Sequence, residues 1–226
     1  MIEVLFIQIP AGANRDKMFV GLRSVVSKEC CAEALGYGNK EVALRRLLGE
    51  ALVRFALKKC WNLTSEDYRI DRGEKGKPFI VGVENVFFNI SHSGDYVVCA
   101  VSDREIGIDI EKRAKARMEV AGRFFHGEEV AQLKMLEDDK QDQLFFNYWS
   151  VKESFLKYIG TGLARPLNSF IVSFSGGGVS LFERGNKLPL YVHACPVDDG
   201  YACHVCCEYE ELTGIHEIFL EEITGC

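Results

Sequence analysis

Ile106-Gly107-Ile108-Asp109-Ile110-Glu111 alternates without a break between large apolar residues and small or acidic ones. That period of two belongs to a β-strand, with Ile106, Ile108 and Ile110 on one face and Gly107, Asp109 and Glu111 on the other. Carboxylates two positions apart on one face stand roughly 7 Å apart at the backbone. Their tips can converge on one hard cation, with Gly107 leaving room for water and phosphate. The plainer alternative is a pair of ordinary acids on a solvated sheet edge. On spacing alone both stay open.

Working outward, Val86 to Ile90 and Tyr96 to Val101 have strand patterns joined by Ser91-His92-Ser93-Gly94-Asp95, which has hairpin-turn chemistry. The chain opens with a strand-like Met1 to Ile7. Asn39 to Lys59 repeats apolar residues at helical spacing, with Arg45, Arg46 and Arg54 on its other side. Pro78 makes a helix improbable in the polar run from Thr64 to Gly76. Downstream, helical patterns cover Met118 to Phe125, Glu128 to Met135 and Gln141 to Tyr158, and Gly160-Thr161-Gly162 and Pro166 end the last. Strands are expected at Phe170 to Phe174, Val179 to Phe182, Leu190 to Ala194, Tyr201 to Tyr209 and Ile215 to Leu220. Each half is helix plus antiparallel strands, so the fold class is α+β. Two similar halves are expected, 1–105 and 106–226, with no low-complexity linker between them.

The 226 residues, 47% hydrophobic and 27% charged, suit a soluble globular protein. A net charge of −6 argues against a nucleic-acid binder. It divides into +1 for residues 1–113 and −7 for 114–226, which leaves local anion binding open in the first half. No run of eighteen apolar residues offers a membrane span, and the N-terminal segment lacks a basic n-region. With no secretory signal, nine cysteines indicate reduced thiols and a cytoplasmic location. Cys203-His204-Val205-Cys206-Cys207, near His193, Cys195 and His216, invites a zinc reading. A strand there would send Cys203 and Cys206 to opposite faces, so buried thiols are the better expectation.

Two further groups carry possible chemistry. In Trp149-Ser150-Val151-Lys152-Glu153-Ser154-Phe155-Leu156-Lys157, helical spacing puts Trp149, Glu153 and Lys157 on one side. They are either an exposed ion pair, or a third carboxylate with a phosphate-neutralising lysine. Arg45, Lys75, Lys77, Ser91 and His92 could jointly hold a multiply phosphorylated ligand. Composition alone favours solvent over a functional role for each of them.

In order, Gly76-Lys77-Pro78, Phe88-Asn89-Ile90-Ser91-His92-Ser93-Gly94, Ile106 to Lys112 and Trp149 to Lys157 resemble a 4′-phosphopantetheinyl transferase of the surfactin-synthetase-activating type. Leu52-Val53-Arg54 and Gly122-Arg123-Phe124-Phe125 are smaller matches, and the likeness runs from about Asn39 to Phe170. It implies a monomeric pseudodimer of two α+β halves with coenzyme A between them. The implied reaction moves phosphopantetheine from coenzyme A to a serine of an apo acyl or peptidyl carrier protein, releasing 3′,5′-ADP.

By the same resemblance Asp109, Glu111 and Glu153 are the ligands of magnesium, or of manganese in its place. Glu153, or a metal-held water, takes the serine proton, and Lys157 contacts the pyrophosphate. Arg45 and His92 hold the ribose 3′-phosphate. Lys75, Gly76, Lys77, Pro78 and Ser91 line the nucleotide part of the site. The first half then supplies the phosphate grip, and the second the metal strand and the Glu153–Lys157 helix. The chain departs from the family at Ser27-Lys28-Glu29-Cys30-Cys31-Ala32-Glu33, where a lysine-rich stretch is usual and only Lys28 remains. Met118, Val120, Phe124, Phe125, Leu133 and Met135 are candidates for carrier contact, although their spacing also suits a core. Competing readings are another metal-dependent enzyme of phosphate esters or nucleotides, and a non-catalytic coenzyme A-binding protein.

Overall fold

The computed structural model of this protein describes residues 1–12 and 14–225. The first half contains strand β1 (Ile2–Gln8) and helices α1 (Asn14–Leu22), α2 (Lys28–Gly36) and α3 (Lys40–Trp61). A hairpin of β2 (Arg69–Arg72) and β3 (Pro78–Val81) follows, then β4 (Phe87–Ser93) and β5 (Tyr96–Ser102). The second half runs β6 (Gly107–Lys112), α4 (Met118–Phe124), α5 (Gly127–Lys134) and α6 (Asp138–Ile159). It continues through β7 (Ile171–Ser175), β8 (Gly178–Glu183), β9 (Asn186–Lys187), β10 (Tyr191–Ala194), β11 (Tyr201–Cys207), β12 (Gly214–Glu217) and α7 (Leu220–Thr224).

Two main sheets form, in the orders β12-β1-β5-β4 and β6-β11-β10-β8-β7, with β9 paired to β8. Period-two patterning builds four layers from them. Leu5 and Ile7 of β1, with Val97, Cys99 and Val101 of β5, face helices α1–α3. The alternate residues Ile2, Val4, Phe6, Val98 and Ala100 meet Ile106, Ile108 and Ile110 of β6 and Cys203 and Val205 of β11, so the sheets pack face to face. The far side of the second sheet carries α4–α6, with Tyr148, Val151, Phe155 and Leu156 buried against it.

The long helices have clear local causes. Asn39 caps α3, its side chain accepting from the Glu41 and Val42 amides, and Asn62 ends it in a left-handed conformation. Gly160, at φ +66°, ends α6.

Several elements differ from the sequence expectation. The turn placed at Ser91–Asp95 is only Gly94-Asp95, so Ser91, His92 and Ser93 belong to β4. The polar run before Pro78 holds β2, since a hairpin as well as a loop satisfies the ban on helix. Helices α1 and α2 occupy a stretch whose apolar residues show little periodicity. The last strand, β12, pairs in parallel with β1 and completes the first sheet, not the second. No described helix is long and apolar enough to cross a membrane.

Candidate active site

The free edges of the two sheets meet where β4 lies beside β6, and polar side chains join them. Asn89 Oδ1 accepts from the Ile108 amide at 3.0 Å. Ser91 Oγ donates to Asp109 Oδ1 at 3.0 Å, and Ser93 Oγ donates to Glu111 Oε2 at 3.1 Å. Ser93 also accepts from the Lys112 amide. Because Asn89, Ser91 and Ser93 alternate along β4, all three face the same neighbouring strand. Reading Ser91–Asp95 as a turn hid this ladder; the signal was the run of polar residues at period two.

Helix α6 crosses the acidic face of β6. Gly107 makes this possible, because a Cβ there would collide with the Ser154 carbonyl oxygen and the Tyr158 amide. The approach brings Glu153 and Lys157 over Asp109. Lys157 Nζ lies 2.7 Å from Asp109 Oδ1 and 2.8 Å from Ser91 Oγ. Asp109 is 4% exposed, and its Oδ2 is buried without a hydrogen-bond partner.

The electrostatics mark these acids as one group. Burial raises the Asp109 pKa despite the opposing pull of Lys157. Burial, then the charge of Asp109, pushes Glu111 up to about 7. The same two causes raise Glu153. Three carboxylates thus share a site with too little positive charge.

Basic groups stand alongside. His92 has its pKa held below the usual histidine value by partial desolvation, then by Arg45 and Lys157. Arg45 donates to the Gly94 carbonyl at 2.6 Å, and its Nε is buried without a partner. Arg45 and Lys157 therefore form a cationic flank on the acidic group, and His92, whose charging they oppose, stands beside them. Ile90, on the same strand as His92, lines a separate cleft of about 770 Å³, together with Lys28, Arg72, Pro78 and the paired charges Arg46, Arg54 and Glu50.

The remaining candidates are placed differently. Lys75 and Gly76 sit at the exposed turn between β2 and β3, with Gly76 at φ +82°. Lys77 turns away from the carboxylates. Its Nζ meets Glu105 Oε2 at 2.7 Å, the Tyr158 carbonyl at 3.0 Å and the Ile106 carbonyl at 3.4 Å, which ties the hairpin to the second half. Lys28 opens α2 behind its cap Ser27. Among the apolar candidates Phe125 and Leu133 are core, Met118 and Val120 pack partly against it, and Phe124 and Met135 are exposed. Cys203 and Cys206 do lie in different cores, and the eight described cysteines are free.

Among the described residues, no three His, Cys, Asp or Glu side chains are already arranged closely enough to hold an ion. The donor set nevertheless suits a hard divalent cation: carboxylate oxygens, one of them an orphaned buried atom, with raised proton affinities that a cation would offset. Asp109, Glu111 and Glu153 are the residues able to supply it. Such an arrangement, acids for a cation beside bases for phosphate, can neutralise and align a phosphoanhydride.

Residues 105–206 match the 4′-phosphopantetheinyl transferase superfamily, and residues 15–104 match the family described as 4′-phosphopantetheinyl transferase, N-terminal. Over 215 residues the chain is 35% identical to the 4′-phosphopantetheinyl transferase gsp of Aneurinibacillus migulanus, covering 95% of this chain and 90% of that protein. It is 37% identical over 221 residues to the 4′-phosphopantetheinyl transferase Sfp of Bacillus subtilis, covering 97% and 94% respectively.

Proposed function

This chain belongs to the 4′-phosphopantetheinyl transferase superfamily, and from that premise we propose that it moves 4′-phosphopantetheine from coenzyme A to a serine of an apo acyl or peptidyl carrier protein, releasing 3′,5′-ADP. The observation that carries this reading is the juxtaposition at the β4–β6 seam. Asp109, Glu111 and Glu153 share one electrostatic site, and Arg45, His92 and Lys157 flank it.

In this reading the nucleotide end of coenzyme A lies in the cleft lined by Lys28, Arg72, Pro78 and Ile90, and Arg45 and His92 grip its 3′-phosphate. Asp109, Glu111 and Glu153 would hold magnesium, or manganese, which when bound offsets pyrophosphate charge and stabilises the charge that develops as the bond breaks. Lys157 exchanges its contacts with Asp109 and Ser91 for the pyrophosphate, adding positive charge where the leaving group forms. Glu153, with its raised proton affinity, accepts the carrier serine's proton. Phe124 and Met135, exposed on α4 and just after α5, offer apolar contact to the carrier. The two halves act as a pseudodimer within a monomer, the division falling near 105/106, because the site draws β4 from one and β6 and α6 from the other.

The test is incubation with coenzyme A, magnesium and several apo carrier proteins, read by mass spectrometry. Serine-linked phosphopantetheine and released 3′,5′-ADP are expected. No mass gain on any carrier sinks the reading, and inorganic phosphate released without a carrier would favour a phosphate-ester hydrolase.

A further inference from the structure

The second-sheet strand β11 places His204 directly opposite Asp109 of β6. Both face α6, and His204 is 4% exposed. Between them lies Ser150 of α6, fully buried. Its Oγ donates to the Asp109 backbone carbonyl at 3.0 Å, and His204 Nδ1 stands 3.2 Å from the Ser150 Oγ. A serine has one proton, already given to Asp109, so the histidine nitrogen donates and the chain runs His204 to Ser150 to Asp109.

We propose that His204 is a positioning residue: through Ser150 it locks the level of Asp109 on β6 against α6, and so sets the spacing between the Asp109 and Glu153 carboxylates. Ser150 precedes Glu153 by three residues, roughly one turn or 5 Å along the helix. Of the other α6 contacts near Asp109, Lys157 reaches the carboxylate through a long, flexible side chain and leaves the backbone untouched. The remainder is apolar packing and the bare backbone approach at Gly107, and none of these fixes the helix level as directionally against a small slide along its axis. A hydrogen bond to the backbone is directional and does resist such a slide. The serine accepts from a donor on a third element, β11, so its hydroxyl is held in the rotamer that reaches Asp109. Both ends of this link sit on residues that matter: its acceptor is the backbone of Asp109, and its donor helix carries Glu153. Nothing in the transfer chemistry touches His204 itself.

The inference rests on Asp109 and Glu153 being the carboxylates of the transfer site. His204→Leu removes the donor, Ser150→Ala removes the link, and His204→Asn restores an N–H near the position of Nδ1. The variants are compared for kcat, KM for coenzyme A, thermal midpoint, and Mn²⁺ affinity by electron paramagnetic resonance in the presence of 3′,5′-ADP. His204→Leu and Ser150→Ala should lower kcat by roughly 10–100-fold, as expected for a sub-ångström misplacement. They should weaken Mn²⁺ binding several-fold and leave KM for coenzyme A within about twofold, since none of His204, Ser150 and Asp109 lines the nucleotide cleft. His204→Asn should recover most of the loss in both kcat and Mn²⁺ affinity. If His204→Leu fails to fold, Ser150→Ala carries the same readouts with a smaller change of volume. Unchanged kcat and Mn²⁺ affinity in a folded variant overturns the proposal, as does His204→Asn behaving like His204→Leu. Asp109→Ala is run in parallel: full activity there overturns the site reading and this inference with it, whereas a dead Asp109→Ala beside an unaffected His204→Leu overturns the inference alone.

Discussion

At Asp109 function and stability pull in opposite directions. Its carboxylate is buried, its Oδ2 has no partner, and burial outweighs Lys157 in setting its proton affinity. A neutral amide of the same shape avoids that desolvation cost and still accepts from Ser91. Asp109→Asn should therefore unfold at the same temperature as the wild type or a higher one, while carrier modification falls by at least about a hundredfold. Glu153→Gln, which removes the proposed base, should cost roughly 10²–10⁴-fold in rate with little change in stability. Differential scanning calorimetry beside the mass assay separates the two quantities. A fall of several degrees for Asp109→Asn would show that the ionised group helps hold the fold, contrary to this account. At this scale the sequence was partly legible. Strand alternation alone put Asp109 and Glu111 on one face, and helical spacing put Glu153 and Lys157 on one side. It could not show that Lys77, read as a phosphate ligand, spends its amine on Glu105 and two backbone carbonyls, because those acceptors come from sequence positions 28 to 81 residues away. His204 was equally hidden. On the chain it sits among thiols, and only the β6–β11 register brings it to Asp109.

Helix α6 is the element on which the site depends, and a buried ion pair anchors it. Lys152 Nζ lies 2.8 Å from Glu129 Oε1, with the two side chains 0% and 1% exposed. The lysine also donates to the carbonyls of Leu167 and Phe170, and Glu129 accepts from the amides of His126 and Val172. The pair thus gathers α5, α6, the turn after α6 and β7 around one point, beside the position that carries Glu153. Removing one charge leaves the other buried, which typically costs about 3–5 kcal/mol. Removing both leaves only the hydrogen bonds to replace. Lys152→Met and Glu129→Gln should each lower the unfolding midpoint by roughly 6–20 °C, taking about 2–4 °C per kcal/mol for a chain of this size. The double variant should recover part of that loss, and urea denaturation of all four proteins gives the coupling energy. Additive losses would mean that the groups act independently. The helix itself was plain in the sequence, as was α3, because long apolar periods and capping residues are local signals. The pair was not: Lys152 and Glu129 belong to different helices, and each has the composition of a solvated surface.

The whole molecule departs furthest from the simple picture of two sequential halves. Strand β12 comes from the end of the chain yet lies parallel to β1, at the edge of the first sheet. Thr213 Oγ1 accepts from the Ile2 amide at 3.0 Å, and the Ile218 amide donates to the Phe6 carbonyl at 2.8 Å. A parallel partner more than two hundred residues away leaves no local mark, so sequence patterning found the strand and assigned it to the nearer sheet. The consequence is physical. Without β12, one edge of β1 would expose its amides and carbonyls beside Val4 and Phe6, the kind of open apolar edge that invites aggregation. The face-to-face packing of the sheets adds a shared core that neither half has by itself. Unfolding of the intact protein should accordingly be one cooperative transition followed equally by near- and far-ultraviolet circular dichroism. A chain ending at residue 211, which loses β12 and α7 but keeps every candidate site residue, should unfold at a markedly lower temperature and elute partly as aggregate on size exclusion. Residues 212–225 supplied as a separate peptide should restore stability in a concentration-dependent way, since binding to the folded form alone raises its midpoint. If the truncated chain instead melts like the full protein and stays monomeric, the first sheet is stable without its C-terminal strand and the two halves are less interdependent than their shared edges indicate.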